Sequence, residues 1–143
     1  MREMQPLHVM GVTALAVDHA GVRVATGTNT TAKESSLKGL IDNEGPLRLW
    51  DIAAGTKTAE LGPLRGAVRD LAFSADDRFL VSAQTDLAAH ETVWVWDLEN
   101  GRLLQRLKTP RSAFDFLHLA ISPDGHYIAM PVTDTVHLFR GSL

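Results

Sequence analysis

Apolar and polar residues alternate along three stretches of the chain, and each stretch leads into a short polar segment rich in turn-forming residues. The stretches with their turns are residues 12–21, 68–77 and 116–125. A second apolar run follows each turn, at residues 22–26, 79–82 and 127–130. Alternation with a period of two is typical of a half-buried strand, and a polar turn between two such runs is typical of a β-hairpin. The pattern therefore predicts an all-β chain in which a strand–turn–strand unit occurs three times.

A second feature follows each hairpin at a similar distance. Trp50-Asp51 and Trp96-Asp97 end apolar strands, and Phe139-Arg140 occupies the matching place in the third unit. Trp50 and Trp96 are 46 positions apart, and Trp96 and Phe139 are 43 positions apart. A four-stranded propeller blade has a period of about 40–45 residues. After the first two pairs a glycine-containing turn leads into another strand, so these units are predicted to have four strands.

These motifs resemble those of the WD-repeat family of β-propellers. The turn Ser122-Pro123-Asp124-Gly125 and the two Trp-Asp pairs carry the resemblance, which covers nearly the whole chain. It implies three four-stranded antiparallel blades, that is, a partial propeller. The outer strand of the third blade is expected to be absent or to be supplied by residues 2–7. The blades are expected at about residues 12–61, 67–107 and 113–140.

In the WD-repeat family a Trp, a Ser or Thr, a His and a turn Asp form a structural hydrogen-bond network. The resemblance places His8, Thr26 and Trp50 in this network in the first blade, and only this blade comes close to the family pattern. The Gly-His pair that often precedes the first strand is missing, so apolar packing between blades is expected to hold the fold. The other structural repeat residues are Asp51, Ser74, Trp96, Asp97, Ser122, Asp124 and Gly125.

Two connections break the repeat, a long one at residues 28–45 and a shorter one at residues 84–91. By the resemblance, both lie on the same rim as the loops that join the blades, and loops on a rigid scaffold are where binding residues concentrate. Within the long connection, Thr31-Ala32-Lys33-Glu34 has the form of a helix capping box, and apolar residues follow at helical spacing. This predicts a short amphipathic helix whose apolar side either covers the rim or docks a partner.

Eight side chains are candidates for partner binding. They lie in the long connection or near the blade-to-blade connections, except for one tryptophan that stands where the family usually has a polar residue. They are Lys33, Leu37, Leu40, Ile41, Arg65, Arg69, Trp94 and Arg111. Tryptophan and arginine are enriched in interaction hot spots. The alternative for Trp94 is packing between blades, and the alternative for the arginines is simple solvation.

Charge and composition exclude several classes of function. The 14 Lys and Arg residues and the 17 Asp and Glu residues are mixed along the chain, so no basic face or tail favours nucleic acid or an anionic membrane. There are no cysteines, which removes disulfides and thiolate zinc sites. No signal-peptide pattern and no run of about 20 apolar residues is seen, so a cytoplasmic location is expected.

No motif for catalysis, phosphate binding or metal ligation is found, and no cofactor is expected. The paired carboxylates Asp76-Asp77 fall in a hairpin turn, which explains them without acid–base chemistry. The sequence therefore favours a non-catalytic scaffold that binds a protein or peptide through the enlarged rim. The alternatives are a propeller-type hydrolase or lyase with a site at the channel, and a propeller fragment without a function of its own.

Three blades make only part of a ring, because closed propellers have about four to eight blades. Each end of the arc is expected to leave an apolar face bare, and such faces are typical of partner surfaces. Two coverings are open at this point. One is a second copy of the chain, which would give a ring with two-fold symmetry. The other is a set of further blades in a longer chain.

Overall fold

Three antiparallel sheets, each built from strands consecutive in sequence, make up the computed structural model. The structure describes residues 11–28, 47–62, 67–85, 91–108, 118–132 and 134–141. Blade 1 has the strand order β1-β2-β3-β4, blade 2 the order β5-β6-β7-β8, and blade 3, within the described residues, the order β9-β10-β11. The strands are β1 (Ala14–Val17), β2 (Arg23–Gly27), β3 (Leu47–Asp51), β4 (Thr56–Leu61), β5 (Ala67–Phe73), β6 (Phe79–Thr85), β7 (Glu91–Asp97), β8 (Arg102–Lys108), β9 (Ala120–Ile121), β10 (Tyr127–Val132) and β11 (Thr135–Arg140).

The first two strands of each blade are joined by hairpins of the same geometry. In each hairpin the N–H of the first turn residue donates to the carbonyl five residues later, at 3.0, 3.0 and 2.9 Å from Asp18, Ser74 and Ser122. The fourth turn residue has a positive φ in all three. These residues are Gly21 (69°), Asp77 (57°) and Gly125 (71°). Glycine adopts this left-handed region without strain, and aspartate is among the few residues with a side chain that also adopt it.

Strand register brings one set of strand ends to a common edge of each sheet. In blade 1, Gly27 at the end of β2 pairs with Ala14 at the start of β1 and with Leu47 at the start of β3. Leu47 pairs in turn with Leu61 at the end of β4. The connections β6–β7 and β10–β11 leave their sheets at the corresponding edge. We call this edge the loop rim, and the opposite edge, with the turns after β1, β5 and β9, the hairpin rim.

Apolar side chains fill the space between neighbouring blades. The core between blades 1 and 2 is formed by Ala14, Ala25, Leu47, Leu49, Leu61, Val68, Leu71, Phe73, Leu80 and Trp96. The core between blades 2 and 3 is formed by Val81, Ala83, Val93, Val95, Ile128, Met130 and Val132. Burial of apolar area is worth about 25 cal/mol per Å². Because one of these two cores lies on each side of blade 2, this blade is packed on both faces, as the sequence leads us to expect.

The first strands of the blades lie next to each other on the inner side of the arc. β1 contacts β5, and β5 contacts β9. The fourth strands β4 and β8 are the outer strands of their sheets, each paired only with the third strand of its blade among the described residues. Strand order and blade packing thus follow the plan of a β-propeller, with consecutive blades around one axis.

The all-β prediction is confirmed, and all four strands predicted for blades 1 and 2 are present. β2 begins at Arg23 and not at Val22, because the N–H of Val22 donates to Asp18 Oδ1 within the turn at 2.8 Å. The helix predicted within residues 28–45 and the outer strand predicted from residues 2–7 lie outside the described residues. Throughout the described part of the chain no helix is long and apolar enough to cross a membrane.

Candidate functional site

The base of the long insertion is fixed to the neighbouring blade at the loop rim. The N–H of Val68 donates to the carbonyl of Thr28, the residue that follows β2, at 3.1 Å. Thr13 Oγ1 donates to the carbonyl of Val68 at 2.8 Å, and Thr28 Oγ1 donates to the carbonyl of Gly11 at 2.7 Å. The Thr28 side chain is fully buried. Hydrogen bonds to Val68 of blade 2 and to Gly11, which precedes β1, therefore hold Thr28 in place where the insertion leaves the scaffold.

Close approach of blades 1 and 2 at this point depends on Gly27. A Cβ atom at position 27 would lie 2.5 Å from Val68 Cγ1 and 2.7 Å from Val68 Cβ, which is closer than real side chains approach. Glycine at this position lets another backbone or side chain come near the strand. The residue is thus required by the narrow space between the sheets.

A carboxylate joins blades 2 and 3 on the inner side of the arc. The N–H of Leu119, just before β9, donates to Asp70 Oδ2 at 2.6 Å. The register of β5 against β6 shifts between Val68 and Asp70. A bulge of this kind re-aims side chains relative to a regular strand. It explains how a polar side chain of β5 reaches the next blade.

At the hairpin rim a single carboxylate joins blades 1 and 2. Asp77 Oδ1 accepts from the N–H of His19 at 2.8 Å, and Asp77 Oδ2 accepts from the N–H of Ala20 at 2.9 Å. Arg23 Nη2 donates to the carbonyl of Asp77 at 2.6 Å, and its guanidinium carbon lies 5.7 Å from the ring centroid of Phe73. Burial alone would raise the pKa of Asp77, but the hydrogen bonds from His19 and Ala20 outweigh it and lower the pKa from its ordinary value of 3.8.

The turn position of Asp77 was predicted from the sequence, but its contact with blade 1 was not. The signal lies in the aligned turns, where Asp77 stands opposite Gly21 and Gly125. A residue with a side chain at a left-handed position is uncommon, and such strain persists only where the surroundings stabilise it. The same alignment could therefore have singled out Asp77 as a residue with a partner outside its own hairpin.

Serine and aspartate side chains hold the hairpins of blades 2 and 3 from within. Ser122 Oγ accepts from the N–H of Tyr127 at 2.9 Å and donates to Asp124 Oδ1 at 2.5 Å. Ser74 and Asp76 make the same contacts in blade 2. The hydrogen bond from Ser122 is the main reason why the pKa of Asp124 falls to about 2. These side chains are engaged in turn formation.

Asp18 takes the place of that serine in blade 1. Its Oδ1 accepts from the N–H groups of Val22 (2.8 Å) and Arg23 (3.0 Å), and its Oδ2 accepts from Arg23 Nε at 2.9 Å. Burial alone would raise the pKa of Asp18, but the hydrogen bonds from Arg23 and Val22 lower it. The same guanidinium that reaches Asp77 in blade 2 is thereby held on its own hairpin.

Buried tryptophans donate to hydroxyl groups in two blades. Trp50 Nε1 donates to Thr26 Oγ1 at 2.9 Å, which joins two residues that the resemblance had placed together. Trp96 Nε1 donates to Ser82 Oγ at 3.1 Å in the same way. The Trp–hydroxyl part of the network, which the resemblance placed in blade 1, is therefore present in blade 2 as well. In blade 3 the matching residues are Phe139 and Met130, so the donor and the acceptor are both absent.

The aspartates of the two Trp-Asp pairs accept hydrogen bonds from the turns that follow them. Asp51 Oδ1 accepts from the N–H of Ala54 at 2.6 Å. Asp97 Oδ1 accepts from the N–H groups of Glu99 (3.0 Å) and Asn100 (3.2 Å), and Asp97 Oδ2 accepts from Asn100 Nδ2 at 2.6 Å. The hydrogen bond from the Asn100 side chain is the main cause of the lowered pKa of Asp97. Both carboxylates fix a tight turn at the hairpin rim.

Trp94 is half-buried and packs against the core between blades 1 and 2. Its ring centroid lies 5.7 Å from that of Trp96, and the guanidinium carbon of Arg106 lies 4.3 Å from the ring centroid of Trp94. Its Nε1 donates to Thr92 Oγ1 at 2.9 Å. This environment matches the packing alternative for Trp94, and its role in partner binding stays a prediction.

Of the other candidates for partner binding, the structure describes one. Arg69 is half-buried in β5, beside the bulge. The rest lie outside the described residues, so their roles stay predictions, as does the role of His8 in the hydrogen-bond network. They are Lys33, Leu37, Leu40, Ile41, Arg65 and Arg111. No group of three or more His, Asp or Glu side chains suited to a metal ion occurs among the described residues.

Fold and geometry together define an arc of β-propeller blades with an elaborated loop rim. The family model for the WD domain, G-beta repeat (WD40), matches residues 55–97. This segment contains β4 of blade 1 and β5, β6 and β7 of blade 2, so one sequence repeat spans two sheets. One sequence repeat thus supplies the outer strand of one blade and the first three strands of the next.

A curated human relative agrees with this match. The chain is 26% identical over 110 residues to WD repeat-containing protein 36 from Homo sapiens. The aligned region covers 77% of this chain but only 12% of the length of that protein. The family model and the relative together support the WD-repeat family for this chain.

Among solved structures, hydrazine synthase from Kuenenia stuttgartiensis has a similar fold. The TM-score is 0.66 at 16% sequence identity, and the match covers 83% of this chain and 31% of that chain. Similarity at this level of identity shows the fold alone. It supports the propeller architecture and carries no statement about the reaction that hydrazine synthase performs.

Proposed function

We propose that the chain is a non-catalytic interaction scaffold, located in the cytoplasm, that binds a protein or peptide through the loop rim. WD repeats generally mediate protein–protein interactions. The observation that carries the finer proposal is the strand register. It brings the ends of both insertions, at Gly27 and Leu47 and at Thr85 and Glu91, to one edge of the arc.

The rigid base of the long insertion supports this proposal. Thr13 and Thr28 hold the strand ends of blade 1 against Val68 of blade 2, and Gly27 lets the two sheets approach closely. A binding loop that starts from a fixed point loses less conformational freedom when it binds, and the bound complex is more stable for that reason. The proposed binding residues Lys33, Leu37, Leu40 and Ile41 belong to this insertion.

The proposal can be tested with peptides selected from a display library against the intact chain. In the test variant, residues 29–46, which leave the buried Thr28 in place, and residues 86–90 are each replaced by the two-residue connection Thr133-Asp134, which joins β10 to β11. The affinity of the selected peptides, measured by isothermal titration, is expected to fall at least about ten-fold, which is about 1.4 kcal/mol.

The matched control changes the opposite edge of the scaffold. Asp124→Ala alters an exposed turn residue of the hairpin rim and leaves the loop rim intact. This variant is expected to bind the peptides as the intact chain does. Equal affinity of the loop-replaced variant, with a circular dichroism spectrum that shows a folded protein, would contradict the proposal. Peptides bound by the intact chain would then occupy another surface.

A further inference from the structure

The sequence contains one Asn-Gly pair, and the structure places it in an exposed turn. Asn100 and Gly101 lie between β7 and β8 at the hairpin rim, and both are exposed. Gly101 has a φ of 62°, and a Cβ atom at this position would meet no other atom within 4 Å. Asparagine is a chemically labile residue. Its side-chain amide is attacked most easily where the next residue has no side chain to block the approach.

The backbone nitrogen of Gly101 lies beside this amide and is not engaged in a hydrogen bond. Among the described residues, no acceptor is bonded to the N–H of Gly101, whereas the N–H of Gly55, at the matching place in blade 1, donates to the carbonyl of Asp51 at 2.8 Å. The Gly101 nitrogen follows Asn100 directly in the chain, so the two reacting groups stay close to each other at all times. Gly101 therefore offers a nucleophile that the matching turn of blade 1 holds in a hydrogen bond.

Asp97 holds the Asn100 side chain in the folded turn. Asn100 Nδ2 donates to Asp97 Oδ2 at 2.6 Å, and the backbone N–H of Asn100 donates to Asp97 Oδ1 at 3.2 Å. The amide must leave this carboxylate before Asn100 Cγ can turn toward the Gly101 nitrogen. A hydrogen bond to a charged group is stronger than one between neutral groups, so its opening limits how often the side chain reaches the nitrogen.

We propose that Asn100 is a site of deamidation, with the Gly101 nitrogen as the nucleophile and Asp97 as the residue that limits the rate. The nitrogen forms a bond to Asn100 Cγ, and the bond between Cγ and Nδ2 breaks. Ammonia leaves with the proton that the Gly101 nitrogen gives up, and a five-membered imide ring remains. Water then opens the ring at one of its two carbonyl carbons. The products are aspartate at position 100 and isoaspartate, in which the main chain runs through the former side chain.

A second dipeptide is able to form the same imide, but its surroundings in blade 3 protect it. The N–H of Gly125 donates to the carbonyl of Ser122 at 2.8 Å, and Gly125 is buried. The pKa of Asp124 is lowered to about 2, mainly by the hydrogen bond from Ser122, so its carboxyl group is ionised at neutral pH. An ionised carboxylate resists attack by a nucleophile. The two dipeptides are therefore expected to behave differently in the folded chain, although glycine is the second residue of both.

Deamidation would change the turn between β7 and β8. A carboxylate at position 100 would face Asp97 where the amide now donates, and two ionised carboxylates in contact repel each other. An isoaspartate lengthens the main chain just before Arg102, which pairs with Asp97 at the end of the hairpin. Either product is expected to release the N–H groups of Glu99 and of position 100 from Asp97 Oδ1. The modification would thus loosen the start of the outer strand β8.

The first test is incubation of the full chain at mildly alkaline pH, with and without guanidinium chloride, followed by mass spectrometry of its peptides and enzymatic labelling of isoaspartate. Asn100 is expected to convert about ten- to a hundred-fold more slowly in the folded chain than in denaturant, the factor for opening one hydrogen bond to a charged group. Position 124 is expected to gain isoaspartate in denaturant alone. Slower conversion of Asn100 than this range allows, or isoaspartate at position 124 of the folded chain at the same rate as at position 100, would overturn the proposal.

The second test removes the restraint on the side chain. Asp97→Ala is expected to raise the rate of Asn100 conversion in the folded chain at least about ten-fold. Asp97→Asn, which keeps the shape of the side chain and removes its charge, takes its place if the circular dichroism spectrum of the first variant is not that of a folded protein. Asp51→Ala is the matched control, because it removes the turn aspartate of blade 1, where Ala54 precedes the glycine, and it is expected to leave the rate unchanged. An unchanged rate in the Asp97 variant, or an equal rise in the control, would contradict the role of Asp97.

The product is tested with Asn100→Asp. Amide hydrogen exchange at Glu99 and at position 100 is expected to be faster in this variant than in the intact chain, with no change at Ala54 in the matching turn of blade 1. Equal exchange in the two proteins would show that the turn tolerates the new carboxylate, and the expected loosening of β8 would then be wrong.

Discussion

Asp77 in blade 2 accepts a hydrogen bond from the backbone N–H of His19 in blade 1, at 2.8 Å, from a backbone conformation that the other two hairpins give to glycine. The contact between blades 2 and 3 has no equivalent, because Gly125 stands at that position. The two interfaces of the chain are therefore not alike. Among the described residues, blades 1 and 2 are joined by a polar contact at the hairpin rim in addition to their apolar core, and blades 2 and 3 are joined by their core and by the contact of Asp70 with Leu119.

Replacing Asp77 by glycine is expected to remove this contact while keeping the hairpin. Loss of hydrogen bonds to a charged group costs about 1.5–3 kcal/mol, and relief of the left-handed conformation offsets about 1 kcal/mol of it. The free energy of unfolding, measured with urea, is therefore expected to fall by about 1 kcal/mol. Amide hydrogen exchange at His19 and Ala20 is expected to speed up. Asp76→Ala is the control, since Asp76 bonds to Ser74 and Arg78 in its own hairpin; unchanged exchange in the glycine variant would contradict the contact.

Lowering the pH is expected to decrease the free energy of unfolding, in part through protonation of Asp77. The folded state lowers the pKa of Asp77 below 3.8, so the carboxylate stabilises the fold above that pH and the contribution is lost as the pH falls through the lower value. Urea unfolding at a series of pH values between about 5 and 2 measures this. The Asp77→Asn variant is expected to lose stability less steeply over that range than the intact chain. Parallel curves for the two proteins would assign the acid sensitivity to other carboxylates.

Substitutions of Trp96 and of Ser82 are expected to have non-additive effects on the free energy of unfolding. Ser82→Ala leaves a buried indole N–H without its acceptor, at a cost of about 1–3 kcal/mol, and Trp96→Phe removes the donor. Phe139 and Met130 occupy the matching positions in blade 3, which shows that the donor and the acceptor can be absent together. A double-mutant cycle of unfolding free energies is expected to give a coupling of about 1 kcal/mol. Additive effects would mean that the hydrogen bond contributes nothing beyond packing.

Gly27→Ala is expected to destabilise the contact between blades 1 and 2. The new methyl group would lie 2.5 Å from Val68 Cγ1, and overpacking of this kind costs about 1–3 kcal/mol. Thermal unfolding followed by circular dichroism measures the loss. Gly141→Ala is the matched control, because a Cβ at position 141 has no neighbouring atom within 4 Å. Val68→Gly removes both Val68 atoms that the methyl group would meet at under 3 Å, so adding it to Gly27→Ala is expected to cost less than the two changes taken separately, and strict additivity would argue against the clash.

The repeated hairpins could be predicted from the sequence because their determinants are local. Ser122 and Asp124 make their contacts within five positions of each other, and a turn with these residues is recognisable wherever it occurs. The spacing of the Trp-Asp pairs indicated the length of the repeat, and that length is typical of a propeller blade. Local chemistry and spacing were therefore enough for the fold class and for most strand bounds.

Contacts between distant positions could not be predicted in the same way. Trp96 and Ser82 are 14 positions apart, and their contact depends on the register of β6 against β7. Asp77 and His19 are 58 positions apart and belong to different sheets. The contact of Asp70 with blade 3 depends on a bulge in β5, and no residue pattern predicts this bulge. Each of these requires the three-dimensional arrangement of the blades, which propensity and spacing leave undetermined.

The connections at the loop rim differ widely in length, from residues 28–46 in blade 1 to residues 133–134 in blade 3, and the strands on either side keep the same pairing. Loop length costs little once the ends of the loop are held, because the entropy of closure grows only slowly with the number of residues. New sequence can therefore accumulate at this edge without disturbing the sheets. The segments that build the sheets and the segments that vary in length therefore occupy separate stretches of the sequence, so a change in one need not alter the other.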